Sequence, residues 1–152
     1  MKSKLAQLVA VGALLFTPAA LLAHEEATGV VKERMDLMET QKDAMKVLGA
    51  MAKGQVPFDA AKATAAAKEI ESTSANILQL FPEGSGGEPS EAKPEIWTQW
   101  EKFTTDTERL ATAAAALEET VSSESHEWKA KFKDVIDACK TCHKTFRAEK
   151  DK

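Results

Sequence analysis

Near its C-terminal end the chain carries two cysteines and a histidine at a spacing that permits covalent chemistry. The residues read Cys139-Lys140-Thr141-Cys142-His143, and Cys-x-x-Cys-His is the attachment signature of c-type haem. Two cysteines three residues apart on one helical turn can each form a thioether to one edge of a porphyrin. The imidazole of the next residue can then reach the iron. The motif therefore predicts one covalently bound haem c, with His143 as the proximal axial ligand.

Three other uses of the two cysteines compete with this interpretation. A thioredoxin-like redox pair would need strands and helices alternating around it, and no strand-like alternation surrounds the motif. Half of a zinc site would need a second pair of Cys or His at suitable spacing, and there is none in the sequence. A structural disulfide between Cys139 and Cys142 suits an exported protein, but His143 directly after Cys142 favours haem.

A second ligand to the iron could come from the methionines of the first helical segment. A thioether is a soft ligand that suits haem iron opposite histidine. Met35, Met38, Met45 and Met51 all lie in this segment, and a methionine stripe at helical spacing is more often flexible core than ligand. From the residues alone, Met38 is therefore one of several similar methionines.

The first 23 residues have the pattern of a secretory signal peptide. Met1-Lys2-Ser3-Lys4 is basic, an apolar run continues to Leu22, and Ala23 precedes the charged His24-Glu25-Glu26. The competing interpretation is a membrane anchor, but the run is short and contains Pro18. We therefore predict cleavage after Ala23, a single domain over residues 24–152, location in the periplasm and no stable membrane insertion of the mature chain.

The rest of the chain predicts four amphipathic helices. Apolar positions recur at spacings of three, four and seven in four segments. The first runs from about 28 to 53 and the second from Asp59 to about Phe81. The third runs from Pro94-Glu95 to the break at Ser122–Ser125, and the fourth contains the haem motif. The third stripe includes Trp100, which with Trp97 is a candidate for the core. No segment alternates with a period of two, so no strand is predicted. The fold class is therefore all-α, an antiparallel four-helix bundle whose core can hold a cofactor.

Composition narrows the function further. The chain has 152 residues, 43% of them hydrophobic, and a formal net charge of −4. This balance argues against a nucleic-acid binder, which needs a basic face. The chain offers no acid–base constellation, no nucleophile with a partner and no phosphate-binding loop, so we do not expect an enzyme.

Lysines near the haem motif form a locally basic region that could dock a redox partner, although a solvated helix face explains them more simply.

Four pieces of the sequence together resemble the cytochrome c-prime family of periplasmic four-helix haem proteins. Their order and spacing carry the resemblance, which covers essentially the whole mature chain. The pieces are Val31-Lys32-Glu33-Arg34 with Met38, residues 54–59, Phe81–Ser85 followed by Pro94–Trp97, and the haem motif followed by Phe146-Arg147. The resemblance implies a four-helix bundle with covalent haem and, in many relatives, pairing of two copies through the first two helices.

The family resemblance leaves two functions open. One branch is high-spin, with histidine on one side of the iron, and binds nitric oxide or carbon monoxide. The other is low-spin, has methionine as second ligand and carries single electrons to redox protein partners. The deciding position follows the family's arginine by four residues, which makes it Met38 here and favours the electron carrier. The resemblance also implies that Arg34 pairs with a haem propionate and that Arg147 screens the proximal imidazole.

Overall fold

The computed structural model describes residues 27–123 and 126–149. The predicted signal peptide, residues 1–23, lies outside the described residues. The helices are α1 (Gly29–Ala52), α2 (Ala60–Ser74), the short α3 (Glu95–Thr98), α4 (Trp100–Ser122) and α5 (Trp128–Phe146), with a 3-10 turn at Leu78–Leu80. The described residues form no β-strand, only an isolated antiparallel bridge between Ala92 and Arg147.

Helix α1 begins and ends within a residue of its predicted bounds. Its end is a two-hydrogen-bond cap, in which Gly54 N donates to Met51 O and Gln55 N donates to Ala50 O. This pattern needs a left-handed residue after the helix, and Gly54 supplies it with φ of 70°. The glycine therefore stops the helix and turns the chain back towards α2.

Helix α2 begins as predicted but ends earlier. The Asp59 side chain accepts a hydrogen bond from Lys62 N at 3.0 Å and caps the first turn. The helix ends at Ser74 rather than near Phe81, and the chain continues through the 3-10 turn. Ile77 and Phe81 are nevertheless buried. The prediction overran because these apolar residues fill the core from a turn and a loop as well as they would from a helix.

The third predicted helix is broken in two. Gln99, with φ of −125° and ψ of 44°, separates α3 from α4. Because of this break, residues of α4 do not continue the helical stripe of α3. Trp100 is 41% exposed, so the prediction that it belongs to the core is wrong. The rest of the predicted stripe, which includes Ile96, Phe103 and Leu117, is buried.

The four long helices pack in chain order and leave one face of the bundle open. Backbones approach closely between α1 and α2, between α2 and α4, and between α4 and α5, whereas α1 and α5 barely meet. Small residues allow the close faces, because Ala63, Ala67 and Ala114 are fully buried. The bundle is thus complete on three sides. No helix in the described part of the chain is both long and apolar enough to cross a bilayer.

Candidate haem site

The haem motif lies on α5, at the place where the buried stripe of that helix is interrupted. Phe132 and Val135 are buried on one side of the motif and Phe146 on the other. Cys139 and Cys142 share the helical face of these residues but are only half-buried. His143 follows and is exposed. The two cysteines therefore form an uncovered patch in the middle of an otherwise covered stripe.

Helix α1 offers a matching half-covered surface. Met38 and Met45 are seven residues apart, which places them on one face, and both are half-buried against the core. Met35 is half-buried too, but it does not belong to the side chains packed on the core. Half-buried methionines on α1 and half-buried thiols on α5 thus both pack on the core, and side chains of these kinds suit contact with a large flat apolar group such as haem.

The surroundings of the two thiols keep them neutral. Burial raises the pKa of Cys139, and it is also the main cause that raises the pKa of Cys142 to about 11, with the nearby Asp106 carboxylate adding to the effect. Reactive dithiols of oxidoreductases have a lowered pKa instead. The shift therefore disfavours the thioredoxin-like interpretation of the pair.

A disulfide and a metal site are the two other interpretations of the pair. Cys139 and Cys142 are free thiols. Within residues 27–123 and 126–149, no cluster of three or more His, Cys, Asp or Glu could hold a metal ion. The residues present fit covalent haem attachment, with Cys139 and Cys142 as the thioether positions and His143 as the iron ligand.

Although His143 is exposed by surface area, partial desolvation by the groups around its ring lowers the pKa of His143, and the positive charge of Arg147 acts in the same direction. A lowered pKa keeps the imidazole neutral near pH 7, the form that can bind iron. The Arg147 guanidinium is held by Glu91, whose Oε2 accepts a hydrogen bond from Arg147 Nε at 2.6 Å. The structure therefore brings Arg147 and Glu91 into the electrostatic surroundings of the predicted proximal ligand.

Arg34 is buried and fully engaged by the loop that follows α2. Its side chain is only 4% exposed, and all three guanidinium nitrogens donate to oxygens of Leu80, Ser85 and Ser90 at 2.7–3.2 Å. The guanidinium carbon lies 3.9 Å from the centre of the Phe81 ring. Binding of a propionate by Arg34 stays a prediction, and the structure adds loop contacts that the sequence analysis did not foresee.

A buried carboxylate beside the motif was also missed. Asp106 on α4 is 8% exposed and accepts a hydrogen bond from Lys102 Nζ at 2.6 Å. Lys102 Nζ in turn lies 5.4 Å from the centre of the Phe146 ring. The i, i+4 spacing of the two charges is visible in the sequence, but their position beside Cys142 depends on the packing of α4 against α5.

Fold and site together define a class: a four-helix bundle with a covalent haem attachment motif on its last helix. A family model described as Cytochrome C' matches residues 29–147. The chain belongs to the cytochrome c' family, whose members carry covalently bound haem c, and it is a haem protein of that family. The predicted fold class and cofactor are thereby confirmed.

Relatives and solved structures agree with this assignment. The chain is 32% identical over 144 residues to cytochrome c-556 of Rhodopseudomonas palustris, with 91% of this chain and 94% of the relative aligned. It is 35% identical over 125 residues to cytochrome c' of the same organism, with 81% and 84% aligned. A nitric oxide complex of a cytochrome c prime mutant from Alcaligenes xylosoxidans superposes with a TM-score of 0.73 at 26% identity, covering 79% of this chain and 94% of that one.

Proposed function

We propose that the protein carries single electrons through a haem c with His143 and Met38 as axial ligands. When bound, the haem iron supplies a one-electron redox centre. The observation that carries the proposal is the placement of Met38: it is half-buried against the core on α1, the helix that borders the open face opposite the haem motif.

Methionine at this position favours an electron carrier on physical grounds. A thioether opposite histidine raises the reduction potential of haem iron. Two protein ligands also hold the iron in one geometry in both oxidation states, so little rearrangement accompanies the transfer of an electron. The same two ligands leave no free position for a gas. In this proposal Met38 excludes ligands, His143 holds the iron from the other side, and the cysteines prevent loss of the cofactor.

A second function is favoured by one specific observation. Solved structures similar to this chain include nitric oxide complexes of cytochrome c prime. If Met38 only fills space in this chain, the iron would have an open position and the protein would bind nitric oxide or carbon monoxide. The two functions thus differ in one bond, between the Met38 sulfur and the iron.

The proposal extends to location and partners. We expect export to the periplasm by residues 1–23, a redox protein as partner, no nucleic acid as partner and no catalytic activity of its own. We further expect copies of this chain to pair through α1 and α2. Lys133 near the haem motif pairs with Asp137 on its own helix, which fits the solvated-face interpretation of these lysines.

The test is the visible spectrum of the haem-loaded protein in both oxidation states. We expect a low-spin spectrum with sharp reduced bands and a far-red sulfur-to-iron band in the oxidised form. Met38→Leu should abolish the far-red band and give a high-spin spectrum. Met35→Leu, one turn earlier, is the matched control and should keep the band. A wild type with a broad high-spin spectrum would refute the proposal and favour gas binding.

A further inference from the structure

The segment that runs from the last residue of the 3-10 turn towards α3 connects the two helices that border the haem site. We name residues 80–93 the strap. One part of the strap contacts α1 and the other part contacts the end of α5. Because α1 and α5 barely meet directly, the strap is a short connection between the helix of Met38 and the helix of His143.

The contact with α1 runs through Arg34. Arg34 Nε and Nη2 donate to Leu80 O at 3.0 and 2.7 Å, Nη2 donates to Ser85 Oγ at 2.7 Å, and Nη1 donates to Ser90 Oγ at 2.9 Å. Both terminal nitrogens also reach Ser85 O at 3.2 Å. Hydrogen bonds from a charged donor are stronger than those between neutral groups. One buried side chain therefore holds three separate points of the strap.

The contact with α5 uses both backbone and side chain. Lys93 N donates to Phe146 O at 2.9 Å and Ala148 N donates to Glu91 O at 2.8 Å. The ion pair between Arg147 and Glu91 lies beside these bonds. Phe146 and Arg147 follow His143 within four residues, so this end of the strap is fastened to the last turn of the haem helix.

Trp97 contacts the first half of the strap. Its Nε1 donates to Phe81 O at 3.1 Å and to Pro82 O at 3.0 Å. A Cβ atom at Gly86 would lie 2.9 Å from the Trp97 ring, so only glycine permits this close approach. The strap is therefore held by contacts at points along its length.

We propose that Arg34 is a positioning residue that acts through the strap to set the place of Met38 relative to α5. Arg34 lies one helical turn before Met38, on the same side of α1. Its hydrogen bonds fix this turn of α1 to a loop whose other end is fastened beside His143. The inference rests on the proposed function, because it assigns a role in placing the distal sulfur at the iron.

The competing role for Arg34 is a direct bond to a haem propionate. The two roles differ in what the strap serines do. If Arg34 acts through the strap, removal of the Ser85 and Ser90 hydroxyls weakens its hold on the loop. If Arg34 acts on a propionate, removal of these hydroxyls leaves its bonds to the Leu80 and Ser85 carbonyl oxygens in place, and the propionate bond and the distal ligand should be unaffected.

The experiment compares Arg34→Gln with the double variant Ser85→Ala/Ser90→Ala in the haem-loaded protein. The readouts are the far-red band of the oxidised form and the rate of carbon monoxide binding to the reduced form. We expect both variants to weaken the band and to bind carbon monoxide roughly tenfold faster, since each loses hydrogen bonds to a buried charged group. Arg109→Gln, on the exposed side of α4, should leave both readouts unchanged.

Conservative substitution separates positioning from loss of the fold. Ser85→Thr/Ser90→Thr keeps both hydroxyls and should retain the wild-type band and rate. If Arg34→Gln does not fold, the serine variants still decide the question. A response confined to Arg34→Gln, or no response in any variant, would overturn the inference. Full carbon monoxide binding by the wild type would refute the proposed function, because it would show that Met38 does not bind the iron. It would not refute the role of the strap, because in that case Met38 would lie beside the bound gas and the serine variants would still change the binding rate.

Discussion

The closed side of the bundle and its open side are built in opposite ways. Where α2 packs against α1 and α4, fully buried alanines such as Ala63 and Ala67 bring the backbones close together. Helices α1 and α5 keep their backbones apart, and the larger Met38 and Met45 of α1 and Cys142 of α5 stay half-covered. Close packing between helices covers the closed side, whereas we expect the haem to cover the half-buried side chains of the open side.

This difference separates stability from function within one small bundle. Close helix–helix packing is concentrated on the closed side, so we expect that side to supply most of the packing energy of the chain itself. Substitutions on the two sides should therefore have different consequences. Changes on the open side should alter the cofactor and its ligands, and changes on the closed side should alter the free energy of unfolding.

The largest effect should come from the cysteines of the open side. Cys139→Ala/Cys142→Ala removes both thioethers, so the haem should separate from the chain on a denaturing gel. We expect the double variant to lose more than about 4 kcal/mol of stability when its haem is removed, the contribution of a ligand present at a thousand times its Kd. Haem staining and thermal unfolding measure the two effects.

Each single cysteine variant should keep one thioether and retain stained haem at reduced yield. Lys140→Ala, at an exposed position between the cysteines, is the matched control and should resemble the wild type. Equal haem retention in the double variant and in this control would contradict covalent attachment through the motif.

A medium effect is expected on the closed side. Ala67→Leu inserts a larger side chain between close helices and should cost about 1–3 kcal/mol. Ala65→Leu, exposed on the same helix, should stay within about 0.5 kcal/mol of the wild type. Denaturant unfolding of the haem-loaded proteins gives both values. If Ala67→Leu were as mild as Ala65→Leu, the contrast between the two sides would fail.

The smallest effect is expected at the start of α2, away from the open side. The hydrogen bonds from Lys62 hold the pKa of the Asp59 carboxyl below its ordinary value. A lowered pKa in the folded state stabilises the protein above the pKa of the unfolded chain, and this contribution is lost as the pH falls from that value through the lower pKa of the folded state. Asp59→Asn keeps a capping side chain without the charge. Its melting temperature should therefore fall less than that of the wild type between pH 7 and pH 3.

The comparison also shows which parts of the molecule local sequence patterns can predict. The haem motif and the bounds of α1 depend on neighbouring residues, and both were predicted closely. The end of α2 was not, because Ile77 and Phe81 are buried in the core without being helical. The break at Gln99 and the exposure of Trp100 likewise depend on how the chain packs.

The contacts of Arg34 show the same limit for the candidate site. The family resemblance singles out Arg34 and implies an acidic partner, a haem propionate. Its partners within the described residues are neutral oxygens 46 to 56 positions further along the chain. No spacing pattern signals a contact of this kind, because the tertiary packing of the helices brings the loop to the arginine across more than 40 positions of sequence.

The most direct test of the central claim is the addition of carbon monoxide to the reduced wild-type protein. If Met38 and His143 both hold the iron, the visible bands should barely change at carbon monoxide concentrations that saturate a five-coordinate haem. Met38→Ala should convert fully under the same conditions. Full conversion of the wild type would contradict the account, since it would show an iron position that Met38 does not occupy.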